Sequence, residues 1–379
     1  MRKAALLLSL MEMSKAQYNL QKQTNYLKRT MFLDPEGPVT VQRFEEVKYP
    51  KLQKFEETAR GFFWVPEEVT LTKDKIDFKE ASDAVRHIFT SNLLRQTALD
   101  SIQGRAPAQV FSPVISIPEL EALVNNWSFF ETNIHSKSYS HIIRNIYGVP
   151  KEEFNKIHDT AEIVSMAASI GRYYDELHRL NSLKEVNPEL VSEQEHIKAI
   201  WLALNASYAL EALRFMVSFA TSLAMVENRI FIGNGNIIAL ILQDEILHAD
   251  WTAWIINQIV KEDSRFATAA EQTKSEVYQM YMEVVAEEKD WADYLFKKGV
   301  VIGLNSQILK DFVDFTAYTR LKDIGIKYQE DHPRSSPIPW FNKHVNINKK
   351  QTALQESEST NYVIGVMSET VDHAALPDI

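Results

Sequence analysis

Six residues able to hold metal ions recur along this chain in the order carboxylate, carboxylate–His, carboxylate, carboxylate–His: Asp100, Glu131 with His135, Glu211, and Glu245 with His248. Each lies in an apolar stretch that reads as a long helix. A four-helix bundle that holds two ions needs this inventory: a lone carboxylate from each of two helices, and a carboxylate–His pair from each of the other two. Taken singly, each acid is more often a solvated surface carboxylate. The ordered set of six, in apolar surroundings, reads as a dinuclear carboxylate site.

The helix that carries Glu211 sharpens the point. Residues 200–226 are apolar for more than 20 positions, yet Glu211 and Arg214 sit near the middle, where charges in a bilayer are costly. A helix apolar all round with one acid inside it reads as the central helix of a large bundle. An unpaired buried carboxylate is expensive, so Glu211 needs a compensating partner, and a metal ion provides one.

Glycine is scarce, at 11 residues, and no strand-like alternation stands out, so the chain is expected to be all-α. Helices are expected over about Lys79–Gln103, Pro118–Tyr147, Pro150–Ser182, Glu193–Phe231, Asn236–Val260, Phe266–Lys297 and Ser306–Ile324. Pro118 and Pro150 suit first turns, Ser192 with Glu195 forms a capping box, and Gly233-Asn234-Gly235 is expected to separate two helices. The expected organisation is an N-terminal extension over 1–30, a bundle domain over 31–341, and a polar, weakly patterned flexible tail over 342–379.

Composition narrows the function. A net charge of −10 argues against a nucleic-acid partner, and the absence of cysteine excludes disulfides, thiolate metal sites and thiol nucleophiles within this chain. The start, MRKAALLLSLMEM, is interrupted by Glu12 and has no small-residue cleavage site after it, so no signal peptide is expected. Glu245 and His248 in DEILH are three apart, and Glu131 and His135 in ETNIH are four apart, so each pair shares a helix face. Oxygen-rich ligands with one imidazole per ion suit iron or manganese better than zinc or copper.

A di-iron site alone fits ferritins, hydroxylases and desaturases equally well. Tyr139, four residues after His135, stands on the same face, within reach of the ions. Phe215, Phe219 and Ile241 on flanking helices are placed to wall an oxidised phenol off from water. A buried tyrosine is otherwise ordinary packing.

FFWVPEEV (62–69), LDSIQGRAP (99–107), ISIPELE (115–121), HSKSYSHIIRNIY (135–147), ALEALRFMVSFA (209–220), DEILH (244–248), EKDWADYLF (288–296) and PIPW (337–340) make the chain similar to the class I ribonucleotide reductase small subunit. The segments cover nearly everything after residue 30, in the family's order. They resemble the aerobic, enterobacterial and phage type more than the shorter manganese-dependent type. The resemblance implies a ferritin-like helical bundle, a homodimer, and a di-iron centre that uses oxygen to oxidise a tyrosine to a stable radical. Two irons per chain are implied, and manganese suits the same ligands.

Carried over position by position, Asp100, Glu131, His135, Glu211, Glu245 and His248 are the ligands and Tyr139 the radical site. Trp64 begins the electron route outward, and Asp244 is the acid linking it to His135. Tyr362 in the tail relays the oxidising equivalent, and the last residues dock the large catalytic subunit. That partner reduces ribonucleotides to deoxyribonucleotides for DNA replication, and the two subunits act together as an oxidoreductase. A cytoplasmic setting follows, the host's cytoplasm if the source is viral. Without the resemblance, Trp64 reads as plain core, Asp244 as an exposed neighbour of Glu245, and Tyr362 as an idle tail residue.

Three departures from the family pattern stand out. Asn133 is inserted into the usual Glu-x-x-His, Gln243 stands where an Arg is common, and the chain ends in Pro-Asp-Ile without the aromatic-x-Leu ending of enterobacterial members. The extra residue is expected to be absorbed as a π-bulge near residues 129–135, keeping Glu131 and His135 on the ions; otherwise Thr132 takes the glutamate's place. Two other functions compete. A stand-alone di-iron oxygenase would have no use for the tail, and an iron-storage or scaffold protein would not need Tyr139 or Trp64.

Overall fold

The protein is described by a computed structural model over residues 25–345. Residues 1–24 and 346–379, with them Tyr362, lie outside the described residues. Within them the chain is helical throughout, with only two isolated bridges, Phe32–Ile115 and Val301–Leu304, and no β-strand. The expected all-α bundle is what forms.

The helices are α1 (Pro50–Gly61), α2 (Thr72–Glu80), α3 (Asp83–Gln103), α4 (Pro118–Phe129), α5 (Ser136–Ile146), α6 (Pro150–Asp159) and α7 (Ala161–Val186). After them come α8 (Glu193–Ala209), α9 (Phe215–Glu227), α10 (Ile232–Glu262), α11 (Ser264–Gln272), α12 (Lys274–Phe296) and α13 (Ser306–Asp323). Two π turns, Phe130–His135 between α4 and α5 and Leu210–Arg214 between α8 and α9, join their neighbours into continuous rods. A third covers Pro107–Phe111 just after α3.

Local chemistry sets the starts. Ser82 accepts from the Val85 amide, Asn305 from Ile308, and Ser192 from Glu195, each meeting an amide that the first helical turn leaves unpaired. Pro118 and Pro150 occupy first turns, where a missing N–H costs nothing. Several expected bounds shift. Lys79 belongs to α2, because the Ser82 cap begins α3 only at Asp83. The single helix expected from Pro150 breaks at Thr160, whose backbone is extended (φ −100°, ψ 103°), and a second break falls at Thr273.

Gly233-Asn234-Gly235 does not separate helices; it is the first turn of α10. The break comes earlier, at Asn228–Phe231, with Arg229 and Phe231 in left-handed conformations (φ 61° and 52°). Asp74, reaching across from α2, accepts the Gly233 and Asn234 amides at 3.0 and 2.7 Å and so caps α10 from another helix. A Cβ on Gly233 would lie 2.4 Å from the Thr70 carbonyl oxygen, which is why glycine stands there.

The bundle core is formed by α3, the α4–α5 rod, the α8–α9 rod and α10. The 193–227 stretch is long and apolar enough to cross a membrane, but 94% of its most apolar window is buried inside the protein. Beside it Arg95, Arg214 and Glu288, all fully buried, form an ion network in which both guanidinium groups hold one carboxylate. Arg214 also bonds Glu287 and, at 2.9 Å, the Ser169 hydroxyl, tying the second π turn to α7 and α12.

Candidate metal centre

Asp100 sits near the end of α3, Glu131 and His135 on the first π turn, Glu211 on the second, and Glu245 and His248 one turn apart on α10. All six are at most 1% exposed. Their ligand atoms fall into two groups, each spanning no more than 4.8 Å: Asp100, Glu131, His135 and Glu245, and then Glu131, Glu211, Glu245 and His248. Glu131 and Glu245 belong to both. Two adjoining positions that share two carboxylates would suit a dinuclear centre.

The first π turn is what keeps Glu131 in place. A regular helix turns about 100° per residue, so one inserted residue would swing His135 and Tyr139 off the shared face. The wide turn over Phe130–His135 absorbs it, as expected, and Glu131 rather than Thr132 faces the centre. Thr132 instead donates its hydroxyl to the Gly104 carbonyl at 2.9 Å. The helices approach so closely here that a Cβ on Gly104 would lie 2.8 Å from that hydroxyl.

Both imidazoles present Nδ1 inward. His135 Nδ1 lies 3.1 Å from Glu245 and 3.4 Å from Glu131, and His248 Nδ1 lies 2.7 Å from Glu245 and 2.9 Å from Glu131. Burial opposes charge on both rings, but the surrounding carboxylates raise their pKa values well above the ordinary histidine range. For Glu131, burial raises the pKa, but bonds from the two rings outweigh it and hold it at about 2. Asp100 and Glu245 are pushed up, first by burial and next by the Glu131 charge.

Whether ions fit is answered by the atoms left over. Both Asp100 oxygens, Glu131 Oε2, Glu211 Oε2, Glu245 Oε1 and His135 Nδ1 are buried without a hydrogen-bond partner. Some of these atoms meet only in buried ion pairs, His135 Nδ1 with Glu131 and Glu245 and Glu211 Oε2 with His248 Nδ1, and four carboxylates crowded against two rings are costly unless cations bind there. Four carboxylates also match the charge of two divalent cations. The donors are oxygen and imidazole with no sulfur, a set suited to iron or manganese.

Around the ligands stands a second ring of polar groups. Trp64 Nε1 donates to Asp244 Oδ2 at 2.9 Å, and the same oxygen meets His135 Nε2 at 3.1 Å. The link expected among Trp64, Asp244 and His135 is therefore formed, and all three are buried. Tyr139 is fully buried; burial first, then the Asp100 charge, pushes its pKa well up, so its phenol is neutral. Its hydroxyl and Asp100 are near neighbours without a well-aligned hydrogen bond. Phe215, Phe219 and Ile241 are fully buried, and the two rings stack at 5.4 Å.

Three polar side chains at the centre were not singled out from the sequence for the contacts they make. Trp127 donates its indole N–H to Glu211 at 3.0 Å and Glu131 at 3.2 Å, and Gln103 donates to Glu211 at 2.7 Å. Tyr174 in turn donates to Gln103 Oε1 at 2.8 Å. Helical spacing signals the first two, Trp127 four residues before Glu131 and Gln103 three after Asp100. Tyr174, on a different helix, has no such signal.

Comparison with known proteins agrees with this geometry. The family model "Ribonucleotide reductase, small chain" matches residues 42–333. The chain is 41% identical to ribonucleoside-diphosphate reductase 1 subunit beta of Escherichia coli O157:H7, over 93% of this chain and 96% of that one. It is 36% identical to the ribonucleoside-diphosphate reductase subunit beta of enterobacteria phage T4, over 87% and 90% of the two chains. The solved ribonucleotide reductase R2 subunit from Clostridium botulinum superposes with a TM-score of 0.75 at 22% identity, covering 86% of this chain and 97% of that one.

Proposed function

The chain belongs to the ribonucleotide reductase small-chain family, and from that premise we propose that it is the radical-generating subunit of a ribonucleoside-diphosphate reductase, with Tyr139 as the residue oxidised. The observation that carries this reading is a buried phenol beside a cluster of four carboxylates and two imidazoles that leaves six buried polar atoms without a hydrogen bond.

Asp100, Glu131, His135, Glu211, Glu245 and His248 would hold two iron ions, which with oxygen would supply the oxidising equivalents; manganese would suit the same donors. The chain's own residues do the rest. Tyr139 gives up an electron and its hydroxyl proton, and Asp100, the carboxylate whose charge acts most strongly on the phenol, is the group placed to take that proton. Burial excludes water and external reductants from the oxidised ring, so it persists. Trp64, Asp244 and His135 form the start of an electron route from the centre outward, with Asp244 fixing both the indole and the imidazole. Tyr362 continues that route in the tail, whose end docks a separate large subunit that carries the thiol chemistry this cysteine-free chain lacks. Two copies of the chain pair as a homodimer in the cytoplasm. A stand-alone oxygenase is disfavoured, because the relatives are named as reductase subunits over nearly their whole length.

The test is an electron paramagnetic resonance spectrum of the metal-free protein after addition of ferrous iron and air. A tyrosyl radical is expected in the natural chain, and none in Tyr139→Phe, which still takes up two ions. An unchanged signal in that variant moves the radical to another residue.

A further inference from the structure

Since the six ligands are fully buried, an ion reaches them only by passing through the protein. A surface cavity of about 320 Å³ opens between the end of α3, the π turn Pro107–Phe111 and α7. Arg105, Gln109, Gly171, Asp175 and His178 line it, together with Tyr174, whose side chain is buried. Tyr174 is also where the cavity meets the centre: its hydroxyl bonds both Gln103 and Ser207 at 2.8 Å, and Gln103 bonds the Glu211 ligand at 2.7 Å. Two side chains thus separate this cavity from a ligand carboxylate whose second oxygen makes no hydrogen bond and lies 3.7 Å from His248 Nδ1. Two larger cavities, near Arg86 and near Glu283, have no lining residue bonded to a ligand or to Gln103.

We propose that this cavity is the route by which divalent cations reach the Glu211 side of the centre, with Tyr174 and Gln103 as its inner gate. The inference rests on the metal-binding reading above. A hydrated cation loses its waters reluctantly and moves most easily where oxygen and nitrogen groups replace them one at a time. Asp175 and His178, one turn apart on α7, offer a carboxylate and an imidazole at the mouth, and with Arg105 in the same lining the formal charge there sums to zero. Passage therefore works by exchange of ligands and not by long-range attraction. The Tyr174 hydroxyl, the Gln103 amide and the Ser207 hydroxyl come next, and then Glu211. The outer wall keeps its shape because Asn181 on α7 donates to the Val110 carbonyl of the π turn at 2.9 Å.

Gly171 provides the test, because a Cβ there meets nothing within 4 Å and the residue touches no part of the centre. Gly171 is half-buried but its Cβ direction is open, and any of these residues favours a helix over glycine, so the fold is not at risk. Metal-free full-length chains carrying Gly171→Ala, Gly171→Leu or Gly171→Phe are mixed with manganese(II), and uptake is followed by loss of the free-ion resonance signal. Uptake should slow in order of side-chain size, by about tenfold or more for Phe, with two ions per chain bound at the end in every case. Glu185→Phe, on the exposed part of α7 away from the cavity, should load at the natural rate. Rates independent of the residue at 171 overturn the route. A natural chain that takes up no manganese overturns the metal-binding reading itself.

Discussion

Glu131 and Glu245 belong to both ion positions, whereas Asp100 and His135 belong to one and Glu211 and His248 to the other. That division makes substitutions distinguishable. Glu211→Ala should leave the Asp100 position its four donors and reduce metal content from two ions per chain to about one, with no stable radical and the helical fold kept, as metal analysis and circular dichroism would read. Two ions and a full radical yield would remove Glu211 from the ligand set. Proton linkage gives an independent check at the same scale. In the metal-free chain the pKa values of His135 and His248 are raised, so both rings hold protons at neutral pH, and ions displace them. Affinity should therefore climb with pH throughout the range below the raised histidine values, neutral pH included, and level off once they are passed, with proton release measurable in weakly buffered solution. Affinity that falls with rising pH would contradict this arrangement. That these six residues converge was legible in the sequence because acids within apolar helices need a reason to be there. Gln103 was half-legible, three residues from Asp100, while Tyr174 was not, since nothing in a linear sequence says which residue of α7 faces the end of α3.

Among the elements, the two π turns do the positioning. Each falls on a ligand-bearing segment, and the first takes up Asn133 without disturbing either flank. It follows that deleting Asn133 should be tolerated: the turn tightens to a regular helix, Glu131 and His135 become three apart, and two ions still bind. Deleting Lys137, in the regular part of α5, has no wide turn to absorb it and should rotate Tyr139 about 100° away from the centre relative to His135. Metal titration and the radical signal compare the two, and equal damage from both would mean that the turn is not what accommodates the insertion. The first π turn could be expected from sequence because Asn133 is one residue more than the usual Glu-x-x-His of the family, and a regular helix has no place for it. The second carried no such signal. Nor did the sequence disclose that Gly233-Asn234-Gly235 begins a helix, since its cap, Asp74, is supplied by a helix about 160 residues away in the chain. Breaks at Thr160 and Thr273 were missed for the opposite reason: threonine is a weak local signal, and the periodicity continues across both.

At the scale of the whole molecule, the bundle protects the centre while the redox partner must be reached from outside. Every ligand, Tyr139 and Trp64 are buried, so no large substrate can touch the oxidised site directly. The oxidising equivalent has to leave through residues, and the partner has to be held at a defined place for it to arrive. A segment that is polar, mixed in charge and weakly patterned, as residues 342–379 are in sequence, can order on a partner and supply much of the affinity. Deleting residues 360–379 should then leave metal content and the radical signal unchanged while abolishing reductase activity with the large subunit. A peptide of those residues should compete with the intact chain. Tyr362→Phe separates docking from electron transfer: it should bind the large subunit with natural affinity and still fail to turn over. Full activity in the truncated chain would show that docking and electron transfer both run through the helical body, and would shift the search for the partner's contact to the exposed ring pair of Phe63 and Phe129 next to Trp64.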